Sequence, residues 1–237
     1  MNILIFGGTS GIGRSLVEQY SKAGHQVIFT GRREEKLVEI SRHLGPSVLG
    51  IRHDIRQTEL TPGILQQAEA KFGPIDLIIV NAGIGKFNYD LDWDICLSVL
   101  KTNVLGVTRA LLAGYNYFRQ QGQGHLVNVS SVASLIGGAP NPSYNASKAY
   151  QANFMEALWI KAQKSRKNKI AVTDIRPGFV DTKLAQGAKF WKADVQTAAQ
   201  QIRQAITKKK KIAYITRRWA VVAMLLKHLP SFVLKKM

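Results

Sequence analysis

Near the start of the chain an apolar run ends in a cluster of glycines. Residues 3–6 are Ile-Leu-Ile-Phe, and Gly7-Gly8-Thr9-Ser10-Gly11-Ile12-Gly13 follows at once. A buried strand that breaks into glycines and resumes with helical spacing over residues 14–23 has few ways to fold. Glycine permits the tight reversal, and the absent side chains let a ligand approach the backbone. The next helix then offers unpaired N–H groups and a positive dipole end, which together seat a phosphate. The spacing is Gly-x-x-x-Gly-x-Gly over Gly7, Gly11 and Gly13, not the Gly-x-Gly-x-x-Gly of the commoner dinucleotide fingerprint. Gly7, Thr9, Ser10, Gly11, Ile12 and Gly13 are therefore expected to line a phosphate-bearing cofactor.

The pattern of short strand then helix repeats down the chain. Apolar, β-branched runs lie at residues 3–6, 27–30, 48–52, 77–80, 125–130, 170–176 and 212–215, with helical periodicity at 14–23, 34–43 and 99–120. Such alternation predicts βαβ units and a parallel sheet covered on both faces. No linker or internal repeat interrupts it. The expected fold is a single α/β domain over residues 1–215, Rossmann-like, with a doubly wound parallel seven-stranded sheet in three αβα layers. Residues 216–237 form a basic, apolar C-terminal extension.

Charge and cysteine content narrow the classes further. The single cysteine, Cys96, excludes an internal disulfide framework and suits a reducing compartment. Five scattered histidines lack ligand spacing, so no metal site is expected. No apolar stretch approaches the ~20 residues that span a bilayer, and no secretory leader is visible. The expected location is cytoplasmic, with peripheral contact to a membrane. The net charge of +18 is concentrated late: residues 195–237 hold ten Lys and Arg and no acid. Such a tail meets acidic partners, and the apolar run at residues 219–226, flanked by Arg217, Arg218 and Lys227, suits an interfacial helix on anionic lipid. A packed subunit interface is the competing reading. Nothing resembles a nucleic-acid recognition motif.

The second strand runs into Phe29-Thr30-Gly31-Arg32-Arg33. An acid here would hold both ribose hydroxyls of NAD, whereas arginine matches the 2′-phosphate of NADP. Arg32, helped by Arg33, thus points to NADP. Further on, Tyr144 and Lys148 stand four residues apart, which places both on one face of a helix. A cation beside a phenol lowers its pKa and makes it usable as a general acid and base.

With Asn81-Ala82-Gly83 after the fourth strand, Asn103, Ser131 thirteen residues before Tyr144, and Pro177-Gly178 followed by Thr182, the chain resembles the short-chain dehydrogenase/reductase family over residues 2–206. The resemblance implies a hydride transfer between nicotinamide and a carbonyl or alcohol, with four catalytic residues. Tyr144 would exchange a proton with the substrate oxygen, and Ser131 would hold that oxygen. Lys148 would tune Tyr144 and bind the nicotinamide ribose, and Asn103 would hold a water of a proton relay. It also implies cofactor contacts at Ile55 after the third strand, at Asn81, Ala82 and Gly83, at Tyr144 and Lys148, and at Pro177, Gly178, Val180 and Thr182. Asp54, also after the third strand, is placed either to accept from the adenine amino group of the cofactor or to cap the following turn. Two positions depart from the pattern: Phe6 replaces the threonine before the first glycine, and Val80 replaces the first asparagine of Asn-Asn-Ala-Gly. Both normally brace the cofactor loops.

The segment 183–194, with Phe190 and Trp191, is expected to cover the substrate, and its apolar character together with residues 133–142 favours a hydrophobic small molecule. Two alternatives remain: reduction of 3-oxoacyl chains on an acidic carrier protein, and a cofactor-sensing regulator without chemistry. A homodimer or homotetramer follows from the resemblance.

Overall fold

The computed structural model describes residues 1–182, 191–216 and 218–226. Seven strands form one all-parallel sheet: β1 (Asn2–Phe6), β2 (Gln26–Gly31), β3 (Val48–Arg52), β4 (Leu77–Val80), β5 (Gln123–Val129), β6 (Lys169–Pro177) and β7 (Ile212–Ile215). Their spatial order is β3-β2-β1-β4-β5-β6-β7. The order reverses between β1 and β4, and an open parallel sheet binds ligands outside the carboxyl ends of the strands at such a switch point. The glycine turn after β1 and Asn81 after β4 both stand there. All seven expected strands are present, with ends moved by one or two residues.

Helices α1 (Gly11–Lys22), α2 (Glu34–Leu44) and α7 (Val195–Thr207) cover one face, and α3 (Thr61–Phe72), α5 (Val107–Gln121) and α6 (Pro142–Gln163) cover the other. Strand alternation divides the core accordingly. Ile3 and Ile5 of β1 belong to the first layer with Leu16, Val17 and Ile202, while Leu4 and Phe6 belong to the second with Val107, Leu111 and Phe118. Burying one such Leu, Ile or Phe side chain is worth about 1.5–3 kcal/mol, so each layer pins its helices firmly.

Two sequence expectations change. First, α4 (Trp93–Val99), a π-helical turn (Leu100–Gly106) and α5 run on as one helix of 29 residues, long and apolar enough by composition to cross a bilayer. An unbroken apolar run is absent, but an 18-residue window within the helix reaches a mean hydropathy of 1.4. Its inward stripe, Val107, Ala110, Leu111, Tyr115 and Phe118, is buried in the domain's own core. Second, the extension begins as helix α8 (Arg218–Leu226), which packs back on the domain with Trp219 and Ala223 buried. The indole lies against Gly178, where a β-carbon would come within 2.1 Å of Trp219 Nε1, and edge-on to Phe179. Lys183 to Phe190, Arg217 and residues 227–237 lie outside the described residues.

Candidate active site

The glycine turn is held open by neighbours that leave no room for side chains. Gly7 (φ +85°) and Gly11 (φ +54°) adopt left-handed backbone that favours glycine. A β-carbon on Gly7 would sit 2.7 Å from Ala82 Cα, and one on Gly31 would sit 2.3 Å from Thr9. Ser10 stands before α1 with its hydroxyl making no capping bond, and no acid occupies the helix's first turn. The dipole end and its N–H groups therefore face the cleft without a competing anion.

The bracing expected from a threonine at 6 and an asparagine at 80 is supplied otherwise. Phe6 and Val80 are buried apolar residues, Phe6 edge-on to His53. Asn81 Nδ2 donates to Gly7 O at 2.8 Å, Gly8 N donates to Thr30 O at 2.9 Å, and Gly7 N donates to Thr30 Oγ1 at 3.4 Å.

A cavity of about 1300 Å³ runs from this turn across the carboxyl ends of the strands. Every residue expected from the sequence to touch the cofactor or the reacting carbon lines it except Gly13 and Asn103. Gly13 is packed beneath, where a β-carbon would fall 2.0 Å from Gly7 O. At the adenine end Arg33 Nη2 lies 3.3 Å from Thr9 Oγ1, and Arg32 lines the wall. Asp54 has both carboxylate oxygens on Arg56 and accepts from Arg56 N at 3.1 Å. Those bonds hold its carboxyl below the usual range. The turn-capping alternative for Asp54 is thus present in the structure.

At the other end α6 brings the reacting groups together. Pro142 opens the helix, a position whose missing N–H has no partner to lose. Asn145 Nδ2 donates to Ala133 O and Ile136 O and so straps the loop after β5 to the helix. Ser131 Oγ accepts from Ala133 N at 3.1 Å and donates to Pro177 O at 3.5 Å, with the Tyr144 phenol beside it. Lys148 Nζ donates to Val129 O and Gln151 Oε1, each at 3.0 Å, and lies 5.9 Å from the Tyr144 ring centroid.

The electrostatics differ from the sequence expectation. Burial pushes the Tyr144 phenol above its ordinary value of 10, and the neighbouring Ser131 hydroxyl only partly offsets that. Burial also pulls Lys148 down, to about 8, against the attraction of Asp174. Desolvation disfavours both charged forms, so burial favours the neutral phenol at Tyr144 and the neutral amine at Lys148. Asn103 is fully committed. Its Oδ1 accepts from Ile84 N at 2.9 Å, its Nδ2 donates to Ile84 O and Ser147 Oγ, and its carbonyl accepts from Gln151 Nε2 at 2.8 Å. That carbonyl belongs to the π-helical turn, and π-bulges recur at functional positions.

Gln151, Trp219 and Val222 join the site without having been singled out in the sequence. Gln151 stands seven residues after Tyr144 on the same helical face, so its spacing carried a signal. Trp219 and Val222 reach the cavity only because α8 folds back, which nothing local predicts.

The short chain dehydrogenase family model matches residues 1–193. An "Uncharacterized oxidoreductase" of Myxococcus xanthus is 32% identical over 192 residues, covering 79% of this chain and 75% of that protein. The Escherichia coli K12 NADP-dependent 3-hydroxy acid dehydrogenase YdfG is 29% identical over 187 residues, covering 76% and 73%. A short-chain dehydrogenase/reductase from Burkholderia phymatum solved with NAD superposes with a TM-score of 0.83 at 20% identity, covering 94% and 92%, and so shares the fold. The motif order, the sheet topology and these matches agree: this chain belongs to the short-chain dehydrogenase/reductase family and is an NAD(P)-dependent oxidoreductase.

Proposed function

We propose that the protein is an NADP-dependent reductase of an apolar carbonyl compound, with Tyr144 as the proton donor. One observation carries this reading: the Ser131–Tyr144 hydroxyl pair and the Lys148 ammonium converge in the same cavity as the glycine turn. The cradle fits a dinucleotide, since added β-carbons at Gly7 and Gly31 would meet packed neighbours and the helix end faces inward. When bound there, the nicotinamide supplies the hydride. Ser131 holds the carbonyl oxygen in place, and Tyr144 delivers its proton as negative charge grows on that oxygen. Lys148 places positive charge beneath the phenol, which stabilises the phenolate left behind. Ile84, Phe87, Ile136, Phe179, Trp219 and Val222 supply apolar wall beyond the hydroxyl pair, which supports a hydrophobic substrate over a sugar. The test is NADPH oxidation across ketones, sterols and 3-oxoacyl thioesters, with Tyr144→Phe as control. Turnover that survives in the control refutes the assignment.

Two arginines support NADP over NAD, as Arg32 lines the adenine end and Arg33 reaches the glycine turn. A charge-assisted bond to phosphate is worth about 1.5–3 kcal/mol, so Arg32→Ala should raise the KM for NADPH roughly ten- to hundredfold. The KM for NADH should hardly move. Steady-state kinetics with both cofactors measures the ratio, and unchanged discrimination would sink the NADP reading.

Self-association is supported by Leu105, Leu112, Tyr150 and Ile160, which are exposed on the outer sides of the π-turn, α5 and α6. Contact with an anionic membrane is supported by Val221, Met224 and Leu225, exposed on α8 beside the cavity. Analytical ultracentrifugation should return a dimer or tetramer mass. Co-sedimentation with anionic vesicles should be lost when residues 217–237 are removed. A monomer, or unchanged vesicle binding, rejects the corresponding contact.

A further inference from the structure

Lys148 is nearly completely buried, at 4% exposure, and its three ammonium protons can be followed one by one. One goes to Val129 O and one to Gln151 Oε1, each at 3.0 Å. The third has no acceptor among the described residues. A β-carbon on Gly83, at the cavity wall, would lie 3.4 Å from Nζ.

Gln151 itself is wholly buried, and both ends of its amide are specified. Nε2 donates to the Asn103 carbonyl at 2.8 Å, while Oε1 accepts from Lys148 and from Asn128 Nδ2 at 3.3 Å. Reversing the amide would set N–H groups against the ammonium and an oxygen against the carbonyl. Both contacts would become repulsive, and a buried polar group without a partner is costly. The orientation is therefore fixed from two elements, the π-turn and α6. Along this helical stripe the next inward residues, Met155 and Leu158, are apolar and belong to the core. A glutamine here satisfies no packing need that a leucine would not.

We propose that Gln151 is a positioning residue for Lys148. Anchored on the Asn103 carbonyl, its carboxamide oxygen holds the ammonium so that the third N–H is directed to the cofactor cleft beneath Tyr144. This rests on the reading of Lys148 and Tyr144 given under Proposed function.

The charged and titratable groups around Nζ are few. On its own helix there is Tyr144. On β6 there are Asp174 and Arg176, buried and bonded to each other at 2.6 Å. The facing residues of β5, the π-turn and the loop after β4 are Asn128, Val129, Asn103 and Gly83, none of which ionises. Burial favours the neutral amine, while Asp174 acts in the opposite sense. An acceptor at 3.0 Å stabilises the protonated form directly.

The proposal is tested by NMR titration of the Lys148 side chain in protein free of cofactor and substrate, with Lys148→Met for assignment. Gln151→Met keeps length and volume but removes the acceptor, and should lower the Lys148 midpoint by roughly one pH unit. Gln151→Glu keeps an acceptor and adds charge, and should raise the midpoint. Should the methionine variant fail to fold, Gln151→Leu reports the same loss. Opposite shifts in the two variants support the assignment. A midpoint unmoved in folded Gln151→Met or Gln151→Leu shows that Gln151 only fills the core and overturns it. The titration needs no turnover, so a negative substrate screen would remove the proposed function without touching this result.

Discussion

Tyr144→Phe should lower kcat/KM for carbonyl reduction by ~10²–10⁴-fold, the usual contribution of a positioned acid, with NADPH binding retained. The substitution removes one oxygen from a ring that remains packed on α6, so the melting temperature should hardly change. A protein that still folds and binds cofactor but no longer turns over separates chemistry from architecture. The direction of the pKa shifts adds a second readout. Burial holds the phenol protonated above its ordinary value of 10, so reduction, which consumes that proton, should be nearly flat through neutrality. Alcohol oxidation needs the phenolate first and should climb steadily from about pH 7 to 9. Initial rates in both directions across that range measure the contrast. Parallel profiles would mean that another group carries the proton.

The fold was legible because each parallel strand is buried on both faces and must be continuously apolar. Residues 3–6 and 77–80 could hardly be anything else, and the glycines after the first strand fixed where the chain turned. That Tyr144, Lys148 and Ser131 line one cavity was legible for a similar reason, since spacing on one helix and at one strand end survives into three dimensions. What escaped has a common cause. Gln151 carried a spacing signal, but it is anchored on a carbonyl of another element, the π-turn, whose altered hydrogen bonding no local propensity reveals. In sequence α8 reads as an interfacial helix on anionic lipid or as part of a subunit interface. Its Trp219 is buried because Gly178, forty-one residues earlier, leaves space for an indole. At Tyr144 the adjacent cation is visible in the sequence, while the burial that raises the phenol's pKa is not.

Gly13→Ala should damage both the fold and the cofactor site, and it tests the glycine turn more directly than any charged residue does. Gly13 does not need an unusual φ; it needs the absence of a methyl. The added carbon would lie 2.0 Å from Gly7 O and 2.5 Å from Asn81 Nδ2. These two atoms form the 2.8 Å hydrogen bond that braces the turn in this chain, whose Phe6 and Val80 contribute no polar group. Either α1 backs away from the sheet or the bond opens. Overpacking costs about 1–3 kcal/mol, and the lost bond adds about 0.5–1.5 kcal/mol. For a domain of this size the melting temperature should fall by roughly 3–18 °C. NADPH affinity, read by fluorescence, should weaken at least roughly tenfold, because the helix N–H groups leave their place beside the phosphates. Gly63→Ala is the matching control. Gly63 lies in α3, where a β-carbon meets nothing within 4 Å, so alanine there should stabilise by about 0.5–1 kcal/mol and leave binding unchanged. If both alanines behaved alike, the turn would be an ordinary strand-to-helix connection, and the strut between Asn81 and Gly7 would hold nothing that the cofactor uses.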